Sequence, residues 1–192
     1  MPNLFKLFHP LPLLLILWCS PAISPAQTPP LSLQEMVSTS GFIFSGKVIN
    51  VQSARDAATG FIVTGATVAV QDAVRGVTGD RFIFRQYGGS YQGLNVFVAD
   101  MSYFSVGEEV VAFLYPISAL GLTSPLGVTE GKWAIERDPA TGKKFVAANS
   151  PAAKLLEPYV DAAATNTRLA RRMEYASFIK LIREMAARDR QP

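Results

Sequence analysis

Residues 42–147 are written in short β-type runs separated by glycine-rich breaks, and after Pro151 the rhythm becomes that of a helix. Residues 42–51 are rich in β-branched and aromatic side chains, which suit a pleated surface. A polar loop over 53–60 follows. Ile62, Ala66, Val68, Val70 and Val74 then share one parity against Thr67, Gln71 and Arg75, the alternation of a half-buried antiparallel strand. Further strands are predicted over 81–85, 95–99 and 110–115, the last being the most apolar run downstream of residue 26. Residues 116–125 read as irregular. Runs at 132–136 and 143–147 flank Asp138-Pro139-Ala140-Thr141-Gly142, whose proline and glycine punctuate a hairpin. Upstream, 31–37 predicts a short helix with Ser32 as its N-cap. Downstream, Tyr175, Phe178, Ile179, Ile182, Met185 and Ala186 recur at three- and four-residue steps, predicting one amphipathic helix that Asn166 or Thr167 caps. Five to seven short antiparallel strands and a terminal helix fit a small barrel of the Greek-key type, because closure removes strand edges. Its expected core is Phe44, Val48, Val68, Val70, Phe82, Phe84, Val111 and Phe113, with Ile179 and Ile182 docking the helix.

The N-terminus constrains chemistry more than fold. Lys6 precedes the apolar run Leu11-Pro12-Leu13-Leu14-Leu15-Ile16-Leu17-Trp18, and Ser24-Pro25-Ala26 places small residues where a signal peptidase needs them. The run is too short for a bilayer span of about 20 residues, and Trp18 before Cys19 is too bulky for a lipoprotein signal. Residues 1–26 are therefore expected to be a signal peptide, cleaved near Ala26, and the protein to be exported to a periplasm or beyond. Cys19 and His9, the only cysteine and histidine in the chain, leave with it. What remains has no thiol or imidazole for a nucleophile, a base or a His/Cys metal cluster.

About 166 residues are then left, enough for one ordinary domain. At 49% hydrophobic and 17% charged, the chain has the composition of a packed globule. Seventeen basic against 15 acidic residues after position 26 give too little excess charge for a nucleic-acid surface. The imbalance sits in the tail, where residues 151–192 carry 8 basic and 5 acidic side chains. Arg168, Arg171, Arg172, Lys180, Arg183, Arg188 and Arg190 there form either a solvated helix face or a footing on anionic lipid.

No catalytic, cofactor or metal set emerges from spacing. Glu108 and Glu109 are adjacent, so on a strand they point to opposite faces and do not converge on one bond; at a turn they are expected to be solvated. Asp56, Asp72, Asp80 and Asp100 are single and lack calcium-loop spacing. Gly127-Val128-Thr129-Glu130-Gly131-Lys132-Trp133 has three residues between its glycines and Trp after Lys, where a phosphate loop needs four and Ser or Thr. One candidate recognition surface remains. Tyr87, Tyr91 and Tyr103 surround the glycine loop beginning Gly88-Gly89, and tyrosine offers contact area at low entropic cost.

The order of short motifs resembles a known family. Phe44-Ser45-Gly46-Lys47-Val48 is followed by Ala73-Val74-Arg75-Gly76, then Gly79-Asp80 with a strand into Tyr87-Gly88-Gly89, then Val106-Gly107-Glu108-Glu109-Val110-Val111-Ala112-Phe113-Leu114. Over residues 36–147 this resembles exported bacterial relatives of the tissue-inhibitor-of-metalloproteinases and netrin module. The resemblance implies an OB-like barrel over 27–150, with 151–192 as linker and C-terminal helix. It also implies a protein partner, with a protease as the class of partner the family suggests. The tissue inhibitors place an N-terminal cysteine on the catalytic zinc, whereas this chain would begin at Gln27, followed by Pro29-Pro30 and no cysteine. The sequence thus predicts a mainly β, non-enzymatic, exported binding module that uses no cofactor and engages another protein rather than nucleic acid. The alternative is an envelope-associated structural protein whose basic helix contacts lipid.

Overall fold

The computed structural model describes residues 31–148, 152–159 and 172–189; the segment expected to be a signal peptide, and Asn166 and Thr167, lie outside them. Strands β1 (Phe42–Arg55), β2 (Ile62–Arg75), β3 (Arg81–Tyr87), β4 (Gly89–Tyr91), β5 (Leu94–Val96), β6 (Glu109–Leu114), β7 (Lys132–Arg137), β8 (Lys144–Ala147) and β9 (Arg172–Glu174) join helices α1 (Leu33–Thr39) and α2 (Tyr175–Arg188) and a 3-10 turn over Ala152–Tyr159. Seven strands form one antiparallel sheet in the order β3-β2-β1-β6-β7-β8-β9, and β4 pairs only with β5. The fold is mainly β with a C-terminal helix packed on it, as the sequence predicts. The sheet is not closed, however: β3 and β9 are its edges, so "barrel" describes it only loosely.

Local chemistry accounts for the elements at each end. Ser32 caps α1 in a reciprocal box: Glu35 N–H donates to Ser32 Oγ at 3.2 Å, and Ser32 N–H donates to Glu35 Oε2 at 2.7 Å. Helix α2 follows β9 directly. Glu174 stands at its N-cap without a side-chain hydrogen bond to the helix, so the pairing of β9 with β8, rather than a cap, sets where α2 starts. Between β1 and β2, Asp56 Oδ1 accepts from Ala58 N–H, Thr59 N–H and the Thr59 hydroxyl. Asp138 repeats this pattern with Ala140 and Thr141 between β7 and β8. Two turns of the form Asp-x-Ala-Thr-Gly thus close the two hairpins, and the polar loop is shorter than expected because β1 runs on to Arg55.

The core is double, which corrects the single core expected from sequence. Strand β6 is central and buried on both faces, so its successive residues feed different clusters. Val111 and Phe113 join Ile43, Trp133, α1 and α2 on one side; Val110, Ala112 and Leu114 join Phe44, Val48, Val68 and Phe84 on the other. Ile179 and Ile182 dock α2 as predicted, together with Phe178, whose ring lies 4.9 Å from that of Trp133. Val70 and Phe82 are only partly buried, at the rim of the second cluster. Fully burying each of these large apolar side chains is worth about 1.5–3 kcal/mol.

Candidate functional site

The tyrosine-glycine surface forms where β3 passes into the small β4–β5 hairpin. Gln92 and Gly93 both have positive φ, 48° and 80°, the signature of a two-residue type I′ turn. The expected loop over Gly88 to Gly93 is therefore a hairpin, and the strand expected at 95–99 ends at Val96. Gly88 and Gly89 are there because nothing larger fits. At φ 90° and 137°, a Cβ on Gly88 would lie 2.4 Å from Val96 O, and one on Gly89 would lie 2.1 Å from Thr64 Oγ1. Thr64 Oγ1 donates to Gly88 O at 2.6 Å, tying the hairpin to β2.

Two of the three tyrosines act together. Tyr103 Oη donates to Tyr87 O at 2.9 Å and accepts from Val98 N–H at 3.2 Å, so one phenol bridges β3 to the chain after β5. Its ring meets Phe97 edge-on at 5.1 Å, while the Tyr87 ring meets Phe61 at 5.4 Å. Tyr91 sits at the hairpin tip opposite Leu94 and does not join them.

Beside this pair runs a groove of about 400 Å³, lined by Tyr87, Val98, Met101, Tyr115, Pro116 and Val128 among others. Its second wall is the segment read as irregular from sequence. That wall is fixed by main-chain bonds from Tyr115 N to Ser124 O at 3.0 Å and from Thr123 N to Arg85 O at 2.8 Å. Val128 has φ 67°, a conformation that β-branched residues rarely adopt. Around the groove, Phe97, Val98, Ile117 and Leu120 are exposed. Sequence reasoning found the Tyr87 side and missed the Tyr115 side, because the two meet only through long-range pairing.

A second cluster was not foreseen. Ser45 on β1, Asp72 on β2, and Tyr175 and Arg183 on α2 converge, although 130 positions separate Ser45 from Tyr175. Tyr175 Oη donates to Asp72 Oδ2 and lies 2.5 Å from Ser45 Oγ, while Arg183 Nη2 donates to Asp72 Oδ1 at 2.7 Å. Burial, reinforced by the Asp72 carboxylate, pushes the Tyr175 phenol well above its ordinary value. A phenol held protonated is not a nucleophile, and Ser45 is fully buried. The arrangement is suited to fastening α2 to the sheet.

The adjacent pair Glu108 and Glu109 is neutralised in place rather than left in solvent. Glu108 pairs with Lys132 at 2.7 Å, and Glu109 pairs with Lys144 at 2.8 Å and Arg137 at 3.3 Å. The Lys144 ammonium, ahead of Arg137, holds the Glu109 carboxyl below its usual range. Among the described residues, no three His, Cys, Asp or Glu side chains gather as a metal ion would require, and no helix is long and apolar enough to cross a membrane. Compared with known protein families, curated proteins and solved structures, the chain matches none.

Proposed function

We propose that the chain is an exported, non-enzymatic binding module that engages another protein through the groove between Tyr87 and Tyr115. The observation that carries this reading is the groove itself, an apolar channel whose Val98 and Val128 walls stay solvent-facing although two buried clusters are available to the same chain. Contiguous exposed apolar surface with aromatic anchors is a mark of interaction sites. Strain at Val128 points the same way, since unfavoured backbone persists where function asks for it. The non-enzymatic part rests on the buried Ser45, the raised phenol of Tyr175 and the paired Glu108 and Glu109. The lipid-contact alternative has less support. The apolar face of α2, from Tyr175 to Ala186, is spent in the core, and Arg183 is held by Asp72.

The resemblance to the tissue-inhibitor module adds one expectation. A chain beginning at Gln27 supplies no cysteine to hold a zinc ligand at about 2.0–2.3 Å, so binding a protease would proceed without chelating its zinc. A photo-crosslinking side chain introduced at Val98, with a control at Lys180 on α2, tests the main reading in cells that export the protein. A discrete adduct from Val98, weakened by Tyr115→Asp, supports it. Equal adducts from both positions, or none from Val98, contradict it.

A further inference from the structure

Backbone alternation determines what the edge strand β3 leaves open. Phe82, Phe84 and Gln86 stand opposite Val68, Ala66 and Thr64, and Gly88 N–H donates to Ile62 O, so the even-numbered residues turn their main-chain groups toward β2. The odd-numbered ones face outward. Arg85 O accordingly accepts from Thr123 N–H at 2.8 Å, which covers the edge at that point. The N–H and C=O groups of Arg81 and Ile83 have no such cover among the described residues.

Natural sheets blunt their edges with short strands, proline, lysine or bulges. The opposite edge follows that rule, because β9 is three residues long. Strand β3 has seven residues, neither proline nor lysine, and an Ile83 that is 68% exposed. Arg81 makes no ion pair or side-chain hydrogen bond among the described residues, while Arg85 is held by Asp56 at 2.9 Å. The open stretch therefore offers two main-chain rungs, one aliphatic side chain and one unneutralised cation.

We infer that the Arg81–Ile83 edge accepts an extended segment of a partner protein as an added strand, with a carboxylate side chain opposite Arg81 and an aliphatic one opposite Ile83. The inference rests on the proposed protein-binding role but uses a different surface from the groove. Main-chain pairing supplies affinity in such strand addition, and the side chains supply selectivity. Charge favours this occupant over a second copy of the chain. Pairing β3 with itself about Ile83 sets Arg81 against Arg85 of the other copy, where Thr123 already stands, and like charges across a pair are unfavourable.

The probe is a synthetic capped peptide, about seven residues long to match a typical strand, in which threonine fills every second position and glutamate and valine alternate in the others, beside a counterpart with lysine for glutamate. Fluorescence anisotropy gives affinity, and amide hydrogen exchange of the whole chain gives location. The glutamate peptide is expected to saturate, to slow exchange at Arg81 and Ile83, and to bind at least tenfold more tightly than the lysine peptide. Ile83→Pro removes one outward donor and should lower affinity tenfold or more. Arg81→Glu, which leaves the strand intact, should reverse the preference between the two peptides. Absence of saturable binding at millimolar peptide, protection at Val98 and Met101 instead of β3, or dimerisation of the chain through β3 in sedimentation would each overturn the inference. Protection at Val98 and Met101 would leave the groove reading standing, whereas failure of the Val98 crosslink would not touch the edge.

Discussion

The face of the sheet under α2 and the end where β3 meets the β4–β5 hairpin handle apolar side chains in opposite ways. Under α2, Phe113, Trp133 and Phe178 are completely buried, and the charges at the helix boundary are matched, Arg183 to Asp72 and Arg75 to Asp189 at 2.6 Å. At the hairpin end, Phe97, Val98, Ile117 and Leu120 remain in solvent around a groove whose backbone is held by main-chain bonds and by Tyr103. The first region is completed by the chain's own C-terminus. The second keeps its shape without burying what it displays, which is the property expected of a surface awaiting a partner.

The sharpest contrast comes from truncation under the helix. Phe113 contacts both the Trp133 and Phe178 rings, at 5.7 and 6.4 Å, so Phe113→Ala should cost about 3–5 kcal/mol in urea unfolding. A loss below about 1 kcal/mol would mean that α2 is not docked as described.

The Tyr175 fastening should show itself in alkali. A phenol whose folded pKa is raised above the ordinary 10.0 contributes fully below that pH and loses its contribution as pH rises beyond it. Tyr175→Phe removes one hydrogen bond and should cost about 0.5–1.5 kcal/mol near neutrality. The gap between wild type and variant should narrow above about pH 10. A gap that stays constant or widens up to pH 11 in chemical unfolding would contradict the assignment.

The smallest effect has the opposite sign. Val128→Asn places a residue that tolerates positive φ at the strained groove position and should raise stability by up to about 1 kcal/mol. A clear loss would show that the valine side chain contributes more by packing than its backbone costs.

How much of this was legible in the sequence follows from how far apart the cooperating residues are. The Ser32 N-cap, the hairpin at Asp138 and the 3.6-residue stripe of α2 are local patterns, and each is legible in the sequence; the reciprocal bond from Glu35 comes only with the structure. The apolar run of β6 was read as a strand, but its alternate residues were assigned to one core because nothing in the run itself says that both faces are covered. Strand β9 is three residues long and exists only by pairing with β8. Ser45 meets Tyr175 by the docking of α2 on the sheet, and Tyr87 shares a groove with Tyr115 through the long-range bond from Thr123 to Arg85, neither of which leaves a spacing signal. The turn at Gln92-Gly93 lacks the asparagine or aspartate that usually announces type I′ geometry. Proximity in sequence groups Tyr91 with Tyr87 and Tyr103, whereas its place at the tip of the β4–β5 hairpin separates it from them.

The measurement that bears most directly on the contrast is the urea midpoint of the double variant Val98→Ser, Ile117→Ser, set beside that of Phe113→Ala. If the apolar side chains at the hairpin end are displayed rather than used by the fold, the double variant should unfold within about 0.5 kcal/mol of wild type. A midpoint lowered as far as that of Phe113→Ala would make Val98 and Ile117 part of the core and contradict the proposed docking surface.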